Sequence, residues 1–178
     1  MPDLTRLEKD IEDIRAMRNI KLEIDYKMGP DPKDPTKQKR MLDIRNFVVA
    51  VKVNEGLYRD KWIRFKFFIP DDWPYSAPVV LIIDKVWHPN IELVIDGNPK
   101  TGRVCVSTLK NNYRGTMLLS EIVDSLRFLL YYPNDKDALN VDAADEQSKN
   151  YESFKEKVNL YMIAIHNYED EEEDDEDL

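Results

Sequence analysis

Cysteine is nearly missing from this chain, with Cys105 alone among 178 residues. One thiol cannot close an intramolecular disulfide, and with no resolving cysteine it cannot cycle through an internal dithiol couple. Histidine is almost as scarce: His88 and His166 lie far apart and, with one cysteine, do not make a zinc site, so no metal is expected. GxGxxG and phosphate-loop patterns are absent, so neither a dinucleotide nor a nucleoside-triphosphate site is signalled. Long apolar runs are missing too: no stretch approaches eighteen consecutive apolar residues, and MPDLTRLEKDIEDI lacks the apolar centre of a signal peptide. The chain reads as soluble and intracellular, with no membrane partner, in a reducing compartment; cytoplasm and nucleus are the expected settings. An excess of positive charge is also lacking. Lys plus Arg number 26 against 35 Asp plus Glu, a net of −9, and the acidic run Glu169 to Asp177 accounts for all of it. The remaining body is balanced, the tail would repel phosphate, and nucleic acid is not an expected partner.

What remains is enough for one core. At 42% hydrophobic, the length suits a single compact domain, here placed at 1–167, followed by an acidic tail at 168–178 that like-charge repulsion should keep solvated and disordered. Monomer is the default. Leu7, Ile11, Ile14 and Met17 recur at helical spacing behind a Thr5–Glu8 capping-box pattern, so a first helix is expected there. Ile20, Leu22, Ile24 and Tyr26 alternate as a half-buried strand, which MGPDPKDPTKQKR should end in a mobile polar loop. Phe47 to Val53 and Ile63 to Ile69 alternate on either side of NEGLYRD, a hairpin, and Val79 to Ile83 makes a fourth strand. Leu119, Ile122, Val123, Leu126, Leu129 and Leu130 form a helical stripe ended by Pro133. Asn140 can cap a short helix, and Phe154, Val158, Tyr161 and Ile165 stripe a last one. Helix, four strands, then helices is an α+β order.

Chemistry, if any, rests on the thiol. Flanked by Val104 and Val106, Cys105 reads as a small buried residue. Against that, it follows the turn-rich DGNPKTGR, has Lys100 and Arg103 nearby to favour a thiolate, and stands fifteen positions after Asn90, a neutral amide donor of the oxyanion-stabilising kind. On these features alone, both readings stay open. His88, wedged between Trp87 and Pro89, is expected to pin a turn with Pro89 rather than act as a general base.

Trp87-His88-Pro89-Asn90-Ile91, then Gly102-Arg103-Val104-Cys105-Val106-Ser107, then a Leu-rich helix and Pro133-Asn134 running to Asp137-Ala138-Leu139-Asn140, closely resemble ubiquitin-conjugating enzymes. The resemblance covers residues 4 to about 166. It implies that family's α+β fold, with an N-terminal helix, a four-stranded antiparallel sheet and C-terminal helices. It also implies a carrier reaction needing no cofactor: Cys105 takes the carboxyl terminus of ubiquitin or a ubiquitin-like modifier from an activating enzyme as a thioester, and a substrate lysine, chosen with a RING or cullin-type ligase, attacks it. By the same resemblance Asn90 stabilises the oxyanion or orders the adjoining loop, and Asp137 orients the incoming lysine. Arg6 and Lys9 meet the activating enzyme, and Tyr75 and Tyr113 belong to the ligase-contacting loops. Between Asn90 and Cys105 this chain carries several more residues than the usual turn, Tyr113 stands for the usual tryptophan, and Gly115 for the usual proline. VCVSTLK, NEGLYRD and LNVDAADEQSKNYESFKEKVNLY look like the branch that handles the Nedd-type modifier, although its N-terminal docking peptide is missing. The acidic tail matches those with which some members meet a basic canyon on cullin ligases, and equally a plain solubilising tail. A catalytically weak or inactive scaffold of the same fold is the competing expectation.

Overall fold

The computed structural model describes residues 2–31 and 33–165. The first helix, α1, spans Leu4–Ala16 and buries Leu7, Ile11 and Ile14. Its cap differs from the expected Thr5–Glu8 box: the Asp3 carboxylate accepts the Arg6 N–H at 3.1 Å, so the helix starts one residue before Thr5. Asp and Thr both cap well, and only the backbone path decides which is used.

Four strands follow, β1 (Ile20–Asp31), β2 (Asp34–Lys52), β3 (Trp62–Phe68) and β4 (Val79–Ile82), in one antiparallel sheet of order β1-β2-β3-β4. The register explains the alternation. Ile24 pairs with Phe47, Phe47 with Phe67 and Phe67 with Val80; one step along, Leu22, Val49, Phe65 and Ile82 form the next row. Phe47, Val49, Phe65 and Phe67 are fully buried in these rows, as expected where residues two apart share a face. The Phe47 and Phe67 rings stack at 5.1 Å.

The polar segment after Tyr26 is not a loop. Pairing continues through Met28 with Arg40, Gly29 with Lys39 and Pro30 with Gln38, closing in a tight turn in which Asp31 accepts the Lys33 N–H at 2.8 Å. Pro30 survives there because β1 is an edge strand, where a missing donor on the open side breaks no ladder.

Past the sheet, Ser107–Leu109 makes one turn of 3₁₀ helix; α2 (Leu119–Tyr131), α3 (Val141–Lys149) and α4 (Tyr151–Ile163) follow. The six stripe residues of α2 are buried as the periodicity predicts. Asn140 caps α3 by accepting the Ala143 N–H at 3.2 Å, and Asn150 caps α4 through Ser153. Phe154 and Val158 reach zero exposure, Ile165 joins the core, and Tyr161 is half-buried against Trp87. The α+β architecture therefore stands as expected. Among the described residues no helix is long and apolar enough to cross a membrane. His166 and the acidic tail lie outside the described residues.

Candidate active site

The His-Pro-Asn turn is the anchor. His88 has no solvent exposure. Its Nδ1 accepts the Asn90 N–H at 3.0 Å, which leaves Nε2 to donate to the Leu129 carbonyl on α2, also at 3.0 Å. Burial pushes its pKa down to about 4, so it is a neutral ring with both nitrogens occupied. That is the geometry of a structural pin. Tyr58, fully buried, donates its hydroxyl to the Trp87 carbonyl at 2.7 Å and sets its ring 5.3 Å from the imidazole; burial pushes its own pKa well above the ordinary phenol value. The Pro89 carbonyl accepts from both Leu139 and Asn140, at 2.8 and 2.9 Å.

Asn90, 2% exposed, joins three segments. Its backbone carbonyl accepts the Cys105 N–H at 2.9 Å. Its side-chain amide donates to the carbonyls of Asn134 (2.7 Å) and Asp137 (3.2 Å), and its Oδ1 accepts the Asn134 N–H at 2.8 Å. Both amide hydrogens are thus spent on the 134–137 loop. This geometry favours loop ordering; donation to an oxyanion would require exchanging one of those bonds.

The long segment between Asn90 and Cys105 does not shift the thiol away from the turn. Ile91 bridges Val104, Leu81 bridges Arg103, and Glu92 grips Arg103 through two oxygens at 3.0 and 2.9 Å, so the added residues loop out beyond this clasp. The ion pair holds the Glu92 carboxyl below its usual range, chiefly through the Arg103 hydrogen bond. Gly102, at φ +86°, lies against the Ile82 carbonyl, where an added Cβ would come within 2.5 Å. Only glycine fits both the backbone and the space.

Cys105 itself is half-exposed, while Val104 and Val106 on either side point into the core. It opens onto a groove of about 610 Å³ lined by Asn90, Ser107, Lys110, Phe128, Tyr132 and Asp137 among others. Arg103 and Lys100, expected to favour the thiolate, are not the cations at the sulfur: Arg103 is held by Glu92, and Lys110 Nζ instead stands 3.1 Å from Sγ. Composition alone gave no signal for Lys110. Phe128, in the last turn of α2, and Tyr132, which caps its C-terminus, meet ring to ring at 4.7 Å and form an exposed aromatic wall. Asp137 is exposed in the same groove, held by its carbonyl rather than its carboxylate.

The other candidate residues gather elsewhere. Tyr75 is 87% exposed just after the cis Trp73–Pro74 bond. Tyr113 donates to the Pro74 carbonyl at 2.7 Å, and Tyr75, Arg114 and Gly115 line a second cavity. Arg6 donates to the carbonyls of Gly115 and Met117, the latter at 2.6 Å, and lies over the Trp73 ring at 5.4 Å. Its guanidinium therefore tethers this loop to α1, whereas Lys9 is exposed on the same helix. Beside Arg6, Asp10 is buried at 1% exposure, and desolvation raises its pKa.

Residues 7–162 match the family profile described as ubiquitin-conjugating enzyme. The chain is 35% identical to the NEDD8-conjugating enzyme UBC12 of Yarrowia lipolytica over 122 residues, covering 68% of this chain and 64% of the relative, just under two thirds of that protein's length. It is 31% identical to the Nedd8-conjugating enzyme UbcE2M of Drosophila melanogaster over 157 residues, or 88% of this chain and 75% of that one. Among solved structures, Ubc12 of S. cerevisiae superposes with a TM-score of 0.70 at 27% identity, covering 92% of this chain and 80% of the other.

Proposed function

Because the chain belongs to the ubiquitin-conjugating enzyme family, we propose that it carries a ubiquitin-like modifier of the Nedd type as a thioester on Cys105 and passes it to a lysine of a substrate protein. The observation that carries this reading is the half-exposed Cys105, whose backbone N–H donates to the Asn90 carbonyl, in a groove that also contains Asp137. Relatives named for conjugating that modifier support the choice over ubiquitin.

The chemistry follows from the geometry. The activating enzyme presents the modifier's activated carboxyl, and Cys105 attacks as its thiolate, the reactive form. The groove then holds the thioester carbonyl beside the loop that Asn90 fixes. An incoming lysine amine adds to that carbonyl, a tetrahedral oxyanion forms, and the thiolate leaves. Asp137, exposed beside the thiol, is placed to accept a hydrogen bond or proton from the amine. Asn90 contributes by keeping the 134–137 backbone in place, so that Asp137 meets the amine in a defined position. Lys9 and the Tyr75–Tyr113 end are the surfaces proposed for the activating enzyme and a RING or cullin-type ligase. A cytosolic and nuclear setting, where thiols stay reduced, belongs to the same proposal.

The test is a non-reducing gel of the chain with ATP and matched activating enzymes, offering ubiquitin and the Nedd-type modifier side by side. A thiol-sensitive band with the Nedd-type modifier, lost in Cys105→Ser, is expected. A band with ubiquitin alone moves the chain to the other branch, and no band with either overturns the conjugating reading in favour of a scaffold.

A further inference from the structure

Arg6 is turned towards its own chain. Besides donating to the carbonyls of Gly115 and Met117 and lying over the Trp73 ring, its guanidinium places Nε 3.7 Å from the Asp10 carboxylate. Asp10 is 1% exposed, and a carboxylate taken that far out of water needs a cation, so it holds Arg6 in this pose; only 23% of the Arg6 side chain is left to solvent. The two carbonyls belong to the segment 110–118, which joins the 3₁₀ turn to α2 and has no ladder of its own. Within it the Tyr113 N–H closes on the Lys110 carbonyl at 3.2 Å and the Met117 N–H on the Arg114 carbonyl at 2.9 Å. Gly115, the residue type with the most backbone freedom to lose, sits in the middle of that second turn. It backs onto the Pro74 carbonyl, where an added Cβ would come within 3.1 Å, and the same carbonyl accepts the Tyr113 hydroxyl. The place of Gly115 therefore decides how the Tyr113 and Tyr75 loops sit together.

We propose that Arg6 is a positioning residue for the ligase-facing surface: its guanidinium pre-orders the Arg114–Thr116 loop against Pro74, so that a RING ligase meets a formed surface instead of one it must order on binding. The inference rests on the reading of the Tyr75–Tyr113 end as that surface. A lysine in this place could satisfy Asp10 as a point charge, but only the planar fork of arginine also grips two carbonyls two residues apart. Without the fork the loop spends part of its time elsewhere, and the apparent affinity of a partner falls in proportion to the fraction of chains in which the surface is formed. The rate of the bound complex is unaffected, because the bound ligase itself holds the loop. Helix α1 thus divides its cations: Lys9 is exposed to partners, and Arg6 is spent on the chain's own loop.

The experiment compares the full chain with Arg6→Lys in two ways: amide exchange across residues 113–117, and discharge of the Nedd-type thioester to free lysine against rising concentrations of a RING domain bound to a cullin fragment. In Arg6→Lys, exchange at Gly115 and Thr116 should quicken, and the RING concentration for half-maximal discharge should rise roughly fivefold or more while the maximal rate holds. Gly115→Pro, which stiffens the same loop through its backbone, should bring Arg6→Lys back to within about twofold of the unaltered chain and change little on its own. Should Gly115→Pro lose its folding transition, exchange and half-saturation in Arg6→Lys decide alone. Unchanged exchange, or a weaker RING response with unchanged exchange, overturns the proposal; the latter makes Arg6 a direct ligase contact. Slower charging by the activating enzyme with an intact RING response overturns it too, and returns Arg6 to that enzyme. Absence of RING stimulation in the unaltered chain marks the separate failure of the ligase reading of this end, and the inference falls with it.

Discussion

His88 makes the site sensitive to acid in a definite direction. Its folded pKa of about 4 lies below the ordinary 6.5, so between those values the unfolded chain binds a proton that the folded chain does not. The stability it confers is full above pH 6.5 and is lost as the pH falls towards 4, amounting to about 3 kcal/mol. Urea melts across that window should show the slope in the wild type, and His88→Gln, less stable throughout, should flatten it. Asn90→Ala removes three side-chain hydrogen bonds and leaves their backbone partners without it; a loss of about 2 kcal/mol is expected. Amide exchange at Asn134 should quicken in that variant. Asn90→Asp, which keeps the acceptor, should restore protection at Asn134 while failing to hold the Asn134 and Asp137 carbonyls. At this scale the sequence was informative wherever neighbours in the chain are neighbours in space. His88, Pro89 and Asn90 form one turn, and the turn-pinning character of His88 and Pro89 could be read from their order; for Asn90 the residues alone suggested an oxyanion donor, and loop ordering entered only as one of two roles implied by the family resemblance. Lys110 could not be read, because only the 3₁₀ turn brings a residue five positions on back to the sulfur.

Among the elements, those with one buried face were legible and the edge was not. Helix α2 shows its stripe because a continuous core selects every apolar residue that faces it. The β1–β2 extension was hidden because its strand character comes from pairing rather than burial: residues 38–42 are all exposed, and prolines and charges dominate the stretch. Local composition says turn, while the partner strand supplies the hydrogen bonds. The clasp before Cys105 was likewise invisible, since Ile91 and Val104 meet only after the intervening residues loop out. Its weak point is Gly102. Gly102→Ala places a Cβ against the Ile82 carbonyl at a positive φ, and should cost roughly 2–3 kcal/mol by denaturant melting. Adding the methyl at Gly97, where nothing lies within 4 Å, should cost less, leaving only the strain of its own φ of +76°.

For the whole molecule, the core runs from Leu7 to Ile165, and the charge imbalance sits in the nine acidic residues after it. A chain ended at Asn167 is therefore expected to keep its melting temperature and its thioester band, while its association with a basic partner slows at low salt and converges with the full chain as salt screens the field. Equal rates at low salt would leave the tail a solubilising one. The global α+β order could be read from periodicity because each element repeats its pattern over several turns or pairs. The meeting of the thiol, the turn and the 134–137 loop needed the fold, since they are separated by tens of residues. That meeting decides how the groove can move. Residues 88–90 are bonded at once to α2 through Leu129, to Asn134 and Asp137, to the start of α3 through Asn140, and to Cys105. A ring of bonds closed on itself has no hinge. The floor must stay still while the molecule works, and any widening to admit a modifier tail or a lysine falls to the opposite bank, the short turn after the thiol and the exposed Phe128–Tyr132 wall.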